Sequence, residues 1–410
     1  MKPELLCPAG NYEKLKAAFA YGADAVYFAA KRFGMRSAAD NFTLEELYSA
    51  VAYAHERGKR AFLTLNTLPH GYEYDDLRAF LLSVRDAGLD AVICADLGVM
   101  ALAKEYLPGV ELHVSTQTSI MSAEAAEQYH LLGAKRVVLA RELSLDEIRE
   151  IRRKVSPELE LEVFVHGAMC VSYSGRCLIS AQMTGRDANR GACTQPCRWN
   201  FKTCEIEEEK RPGQRYTVEE HPEGSFILSS RDLCMIGHIP ALIEAGIDSF
   251  KIEGRMKSVY YTAVTANAYR MAIDAYRRDP AGYVFDTRLR DELESVSHRD
   301  YGTGFFFGME PGDAKLVDTL GYLRDKAYLA AALSYDESTG RAVFEQRNKL
   351  SEGETVELVS PGKFGVPLTV RGLRNADGEE ITSAPHPLMI FSMEVPFPVR
   401  PGDILRGAQP

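Results

Sequence analysis

The sequence has no uninterrupted apolar run long enough to span a bilayer. Its first residues, MKPELLCPAG, carry neither the apolar region nor the cleavage site of a signal peptide. These absences set the expectation of a cytoplasmic protein with no membrane partner. A basic excess is missing too. The formal net charge is −10 over 410 residues, which argues against a general nucleic-acid coat protein but leaves room for a local basic surface. Neither HExxH nor GxSxG occurs, and His55 only begins HERGK, so metalloprotease and serine-hydrolase chemistry lack their usual residues. Cys170 with His166 is the remaining peptidase arrangement, and two residues four apart on an irregular loop are a weak argument for one.

What is present points to an α/β chain. Hydrophobic residues make up 46%, enough for a sizeable core, and the length suits a barrel plus a second unit. A helix-to-strand joint recurs as GADAVYFAA at Gly22, GLDAVICAD at Gly88, GAKRVVLAR at Gly133 and GIDSFKIEG at Gly246. Glycine suits a left-handed helix cap, and the following apolar run suits a strand buried on both faces. Eight strands are predicted, near Leu5, Tyr27, Leu63, Ile93, Val114, Val138, Phe164 and Ile252. Helices lie between most of them, for example over 43–57 and 144–154. Thr43 with Glu46 and Ser144 with Glu147 have capping-box spacing. Strand alternating with helix reads as a (βα)8 TIM-barrel-like domain; a doubly wound open sheet is the alternative.

The rhythm breaks after the seventh strand. A cysteine-rich insertion is expected over 167–225, and its acidic part, 205–223, reads as a solvated hairpin or mobile loop. A helix is predicted over 258–278 after the eighth strand. The organisation expected is a barrel domain over 1–280, a connector over 281–322, and a small antiparallel β-barrel-like domain over 323–410, where short alternating runs replace the helical pattern.

In such a barrel, functional residues gather at the C-terminal ends of the strands. Those ends carry Asn66, Asp96, Ser115, Gln117, Arg141, Glu142, His166, Glu253 and Arg255. The arginines suit a small anionic ligand, because guanidinium forks match carboxylates. Arg141, His166, Glu253 and Arg255 are the catalytic candidates, and Asn66, Gln117, Arg141 and Arg255 the ligand-binding ones. The bland reading is that several of these only cap helices or pair with each other. Six of eight cysteines fall between Cys170 and Cys234. In a reducing compartment such a cluster more often marks a metal or redox site than a disulfide framework. Six, fifteen and three residues separate Cys170, Cys177, Cys193 and Cys197, spacings that leave zinc and an iron–sulfur cluster equally open. Arg176, Arg186, Arg190, Arg198 and Lys202 would offset the thiolate charge. Cys7 and Cys94, on predicted strands, are expected to be small buried apolar residues.

At these residues the chain resembles a known family. The stretch ELEVFVHGAMCVSYSGRCLIS over 160–180, together with ELLCPAG, NRGACTQPCRW and SFKIEGRMKS, is similar to the collagenase-like peptidases of unknown catalytic type. Length and second domain look most like the branch associated with tRNA. The resemblance implies prephenate-dependent 5-hydroxylation of the wobble uridine, by a tRNA uridine hydroxylase. It implies a [4Fe-4S] cluster on Cys170, Cys177, Cys193 and Cys197, with Cys234 as a substitute fourth ligand. The implied partners are tRNA and a small dicarboxylate metabolite, with a protein partner left open. Relatives that act on a ribosomal RNA cytidine or a ubiquinone precursor supply alternative substrates, and the peptidase name supplies an alternative class. Trp199 could stack on a flipped base or, more blandly, pack over the cysteine loop.

Overall fold

A computed structural model describes residues 3–35, 40–170, 172–177, 179–199, 206–207, 215–216, 230–308 and 322–408. Seven strands, β1 Glu4–Pro8, β2 Ala25–Phe28, β3 Arg60–Leu65, β4 Ala91–Cys94, β5 Glu111–Val114, β6 Ala134–Val138 and β7 Glu160–Ala168, precede an eighth, Ser249–Ile252. Neighbours pair in parallel, and the eighth strand pairs with both β7 and β1, which closes the barrel. The fold is thus the barrel and not the open sheet, and every strand lies where its apolar run predicts. β2 and β4 are buried along their whole length, as strands of a parallel sheet covered on both faces must be. Both capping boxes form, at the starts of the helices Leu44–His55 and Leu145–Lys154.

The apolar pattern did not foretell two short additions. Asp232–Cys234 pairs antiparallel with the end of β7, and Tyr301–Gly302 pairs with Asp232–Cys234. The insertion therefore leaves from β7 and returns to it, which ties both its ends to the C-terminal mouth. Within it, Ile206–Glu207 pairs antiparallel with Arg215–Tyr216. Most of the acidic stretch, Cys204 and Lys202 lie outside the described residues. Cys7 and Cys94 are fully buried, as expected. Burial, aided by Asp96, pushes the Cys94 thiol up to about 12, so it stays protonated and inert.

The barrel holds an ionic ladder as well as an apolar cluster of Leu6, Ala25, Tyr27, Phe62, Ala91 and Ile93. Arg136, 2% exposed, reaches Glu4 at 2.6 Å, Glu160 at 2.6 Å and Glu162 at 2.9 Å. Glu162 is completely buried and also accepts from Lys251 at 2.7 Å. Arg60 bridges Glu4 and Glu111, and Glu111 accepts from His113 Nε2 at 3.1 Å.

His113 sets a pH dependence. Facing a carboxylate, Nε2 carries the proton, and the buried Nδ1 has no hydrogen-bond partner. Burial pushes the imidazole pKa down to about 4, against the opposing Glu111 bond; a proton on Nδ1 would be a buried donor without an acceptor. Between about pH 6.5 and 4 the unfolded chain binds a proton that the native state refuses. Stability is therefore expected to fall as pH drops through that window, by on the order of 3 kcal/mol. Glu111 is held at about 2, where burial is outweighed by His113 and Arg60. Glu162 is held at about 2 likewise, burial being outweighed by Lys251 and Arg136. Both carboxylates extend the loss below the unfolded carboxylate pKa toward 2. Urea midpoints measured from pH 7 to 4 check this, and His113→Gln should flatten the upper window.

Two compact units divide the chain. One takes Met1–Tyr12, Asp24–Met256 and His298–Tyr322, with the barrel strands and the insertion; the other takes Glu13–Ala23, Lys257–Ser297 and Leu323–Pro410. The second unit contains the long helix Val259–Arg278 and a seven-stranded antiparallel sheet. The short alternating runs expected there form the strands Ala327–Asp336, Arg341–Gln346, Thr355–Val359, Val366–Thr369, Ile390–Glu394 and Ile404–Gly407. The sheet ends in two edge strands, Val366–Thr369 and Arg374–Asn375, and is a half-barrel around Phe344, Phe391 and Leu405. Inside this unit the Asn267 amide donates to Lys363 O at 2.9 Å and accepts from Gly362 N at 2.7 Å. Arg406 is bound by Glu292 and Glu357 at 2.8 Å each.

Candidate functional site

A cavity of about 160 Å³ opens at the C-terminal ends of the barrel strands. Of the residues predicted there, Asn66, Ser115, Gln117, Arg141, Glu142, Glu253 and Arg255 line it. Asp96 does not. Its carboxylate caps the helix Leu97–Tyr106 by accepting from Val99 N at 3.0 Å, and it also accepts from the Tyr74 hydroxyl at 2.8 Å, which is the bland role. His166 does not line the cavity either. It is buried, 5.3 Å from the ring of Tyr301, which stacks in turn on His298 at 4.3 Å. Cys170 is exposed at the cavity wall, while His166 is buried outside the lining.

The lining carries four cations, Arg141, Arg176, Lys251 and Arg255, against two carboxylates, Glu142 and Glu253. Both carboxylates are engaged. Glu142 accepts from the backbone N–H and the hydroxyl of Ser174, each at 2.8 Å, and Glu253 accepts from the Tyr27 hydroxyl at 3.2 Å. Arg141 donates to Ala168 O at 2.8 Å and lies 4.7 Å from the Phe164 ring centre. Arg255, buried, donates to the Thr64 hydroxyl at 3.2 Å. Lys251 was missed from the sequence. Its ammonium lies 4.6 Å from the Tyr27 ring and 5.4 Å from that of Phe164, with Glu162 beneath it. Strand alternation could have found it, because Lys251, Glu253 and Arg255 follow at steps of two.

One turn of the insertion closes the cavity wall. Ser174 ties to Glu142, to Arg141 N at 3.4 Å and, through its carbonyl, to the Ser119 hydroxyl. Gly175 follows with φ of +73°, and a Cβ there would collide with the Gln117 carbonyl. Gly175→Ala is expected to cost the turn more than about 1 kcal/mol. The readout is faster hydrogen exchange over 172–177 and lower activity, with the barrel's thermal midpoint little changed.

Cys170, Cys177 and Cys193 line the cavity; Cys197 sits in the short turn Pro196–Arg198 outside the lining. Cys234 is buried on its strand, in register with His166. Among the described residues no three His, Cys, Asp or Glu side chains are arranged to hold a metal ion. The donor chemistry and the address fit a thiolate-bound group, since three thiols face one cavity beside arginines. Their convergence would come with binding, as metal sites often order with their metal. Arg190 is not displayed as the basic sequence suggests. Its Nη2 donates to both Glu73 carboxylate oxygens at 2.9 Å each, and its Nη1 donates to Leu68 O at 2.7 Å. Trp199 is 39% exposed and donates from Nε1 to Thr194 O at 3.1 Å, a bond within the cysteine loop. Among the described residues no helix is long and apolar enough to cross a membrane.

Comparison with known proteins is consistent along the whole chain. The chain is 40% identical to "tRNA hydroxylation protein P1" of Bacillus subtilis, over 99% of this chain and 94% of that protein. It is 36% identical to "tRNA hydroxylation protein P" of Escherichia coli, over 94% and 92%. It is 32% identical to "Collagenase" of Porphyromonas gingivalis, over 87% and 86%. The family model for peptidase family U32 matches residues 10–315, and that for the U32 C-terminal domain matches residues 324–406. Barrel, insertion and half-barrel are all accounted for by these matches, and the chain belongs to peptidase family U32.

Proposed function

We propose that this protein is a hydroxylating enzyme of RNA that acts on the wobble uridine of tRNA at C5, with prephenate as the small co-substrate. The observation that carries the reading is the cavity itself, with four cations, two engaged carboxylates and three thiols in its lining. Such a lining suits a carboxylate ligand held beside a redox group. The names of the two relatives at 40% and 36% identity support tRNA as the substrate. Cys170, Cys177, Cys193 and Cys197 would hold a [4Fe-4S] cluster, which supplies electron transfer when bound. Arg141, Arg255 and Lys251 orient the dicarboxylate, and the rings of Tyr27 and Phe164 keep water from it. A wobble base reaches such a buried site only after leaving its stack.

Nucleoside mass spectrometry of tRNA from a deletion strain tests the reading. Loss of 5-hydroxyuridine, restored by the wild-type chain, is the expected result; unchanged tRNA would overturn it and turn attention to ribosomal RNA or a quinone precursor. Arg255→Ala and Arg141→Ala should each weaken prephenate binding roughly ten- to hundredfold in calorimetry, since a charge-assisted contact contributes about 1.5–3 kcal/mol. Unchanged affinity in both variants would remove the anion from this cavity.

A further inference from the structure

The loop after β3 carries an aromatic pair that the barrel does not use. The His70 and Tyr72 rings stack with centres 5.4 Å apart and planes 21° apart, and Tyr72 is 79% exposed. A single exposed aromatic is ordinary; a pair stacked in advance on a fastened loop is not. The fastening is Glu73. Its carboxylate accepts from His70 N at 2.6 Å and, on both oxygens, from Arg190 Nη2 at 2.9 Å. Arg190 also donates to Leu68 O. Arg190 ends the turn Ala188–Arg190 of the insertion, and Ala188 and Cys193 on either side of it line the cavity. The aromatic pair is thereby held to the cavity wall, through a carboxylate that Arg190 has neutralised. Arg176, at the cavity, and Arg186 are exposed on the same insertion, while the nearby acids Asp75 and Asp76 pair with Arg78 and Arg32.

We propose that residues 68–73, with the His70–Tyr72 stack at their tip, form a base-stacking platform that holds unpaired nucleotides of an RNA loop beside the cavity. Exposed rings with adjacent arginines are what unpaired bases and their phosphates recognise, and stacking tolerates any base. The inference rests on the RNA reading above. It assigns Arg190 a positioning role in place of a phosphate contact.

The test is fluorescence anisotropy with a labelled hairpin RNA bearing an unpaired loop, at fixed low salt. The wild-type chain should bind the hairpin more tightly than a fully paired duplex of the same stem. Tyr72→Ala should weaken hairpin binding roughly five- to 150-fold, the effect of removing one stacked base contact, and Tyr72→Phe should stay near wild type. Arg190→Lys keeps the charge but loses the second nitrogen that ties Leu68 O while the first holds Glu73, and should weaken binding if Arg190 acts as a clamp. Hairpin binding by the wild type that is equally strong in Tyr72→Ala overturns the platform and leaves the RNA reading standing. Equal strength in Arg190→Lys overturns the clamp. No hairpin binding by the wild type overturns the RNA reading itself, and the platform with it.

Discussion

Alanine at Cys170 or Cys177 is expected to abolish iron retention and uridine hydroxylation together, with little change in folding. The two thiols lie at the cavity, one exposed and one half-buried, so neither contributes much to the core. Anaerobic purification of the wild type should give a brown protein with about four irons, the content of a [4Fe-4S] cluster. Each variant should be colourless and still folded, its thermal midpoint lowered only by loss of the bound cluster. Cys197→Ala and Cys234→Ala separate the two candidates for the fourth ligand. Cys234 is buried on a strand paired with β7 and lies outside the cavity lining. Cys197 follows Gln195, whose φ is +58°, in a loop turn that can close on a ligand. Iron should therefore be lost with Cys197→Ala and kept with Cys234→Ala. Stoichiometric zinc with no iron would end the cluster proposal.

Arg136→Ala is expected to destabilise the barrel by about 3–5 kcal/mol, because breaking a buried ion network leaves uncompensated charge. Glu162 has no exposure and keeps only Lys251, while Glu4 and Glu160 lose a partner each. Domains of ordinary stability hold about 5–15 kcal/mol, so this loss takes a large share of the total. Combining Arg136→Met with Glu162→Gln removes charge from both sides and should recover part of the loss. Urea denaturation of the single and double variants measures this; an unshifted midpoint for Arg136→Ala would mean that the ladder contributes nothing net.

Local order was legible in the residues. Eight apolar runs, two capping boxes and the glycine that precedes each joint mark their elements through short-range backbone physics, which acts without the rest of the chain. The mouth was legible because closed parallel barrels present strand ends at one face, and seven of nine named residues line the cavity. Asp96 and His166 fall away because their partners, Tyr74 and Tyr301, are remote in sequence. Arg190 reads as a free cation in the sequence because its partner, Glu73, lies more than a hundred residues earlier.

The barrel interior is where tertiary structure alone decided. Alternation assigns a residue to a face but not a charge to a partner, so Glu4, Arg60, Arg136, Glu162 and Lys251 read one by one as interruptions of apolar strands. Closure brings them within 2.6–3.4 Å of one another, and only then is each buried charge compensated. The sequence by itself determined strands, helices, insertion and the address of the thiols, because those depend on neighbours along the chain. Which charges pair, which histidine is buried and which arginine is a clamp depend on contacts between distant strands and loops, and these exist only once the barrel has closed.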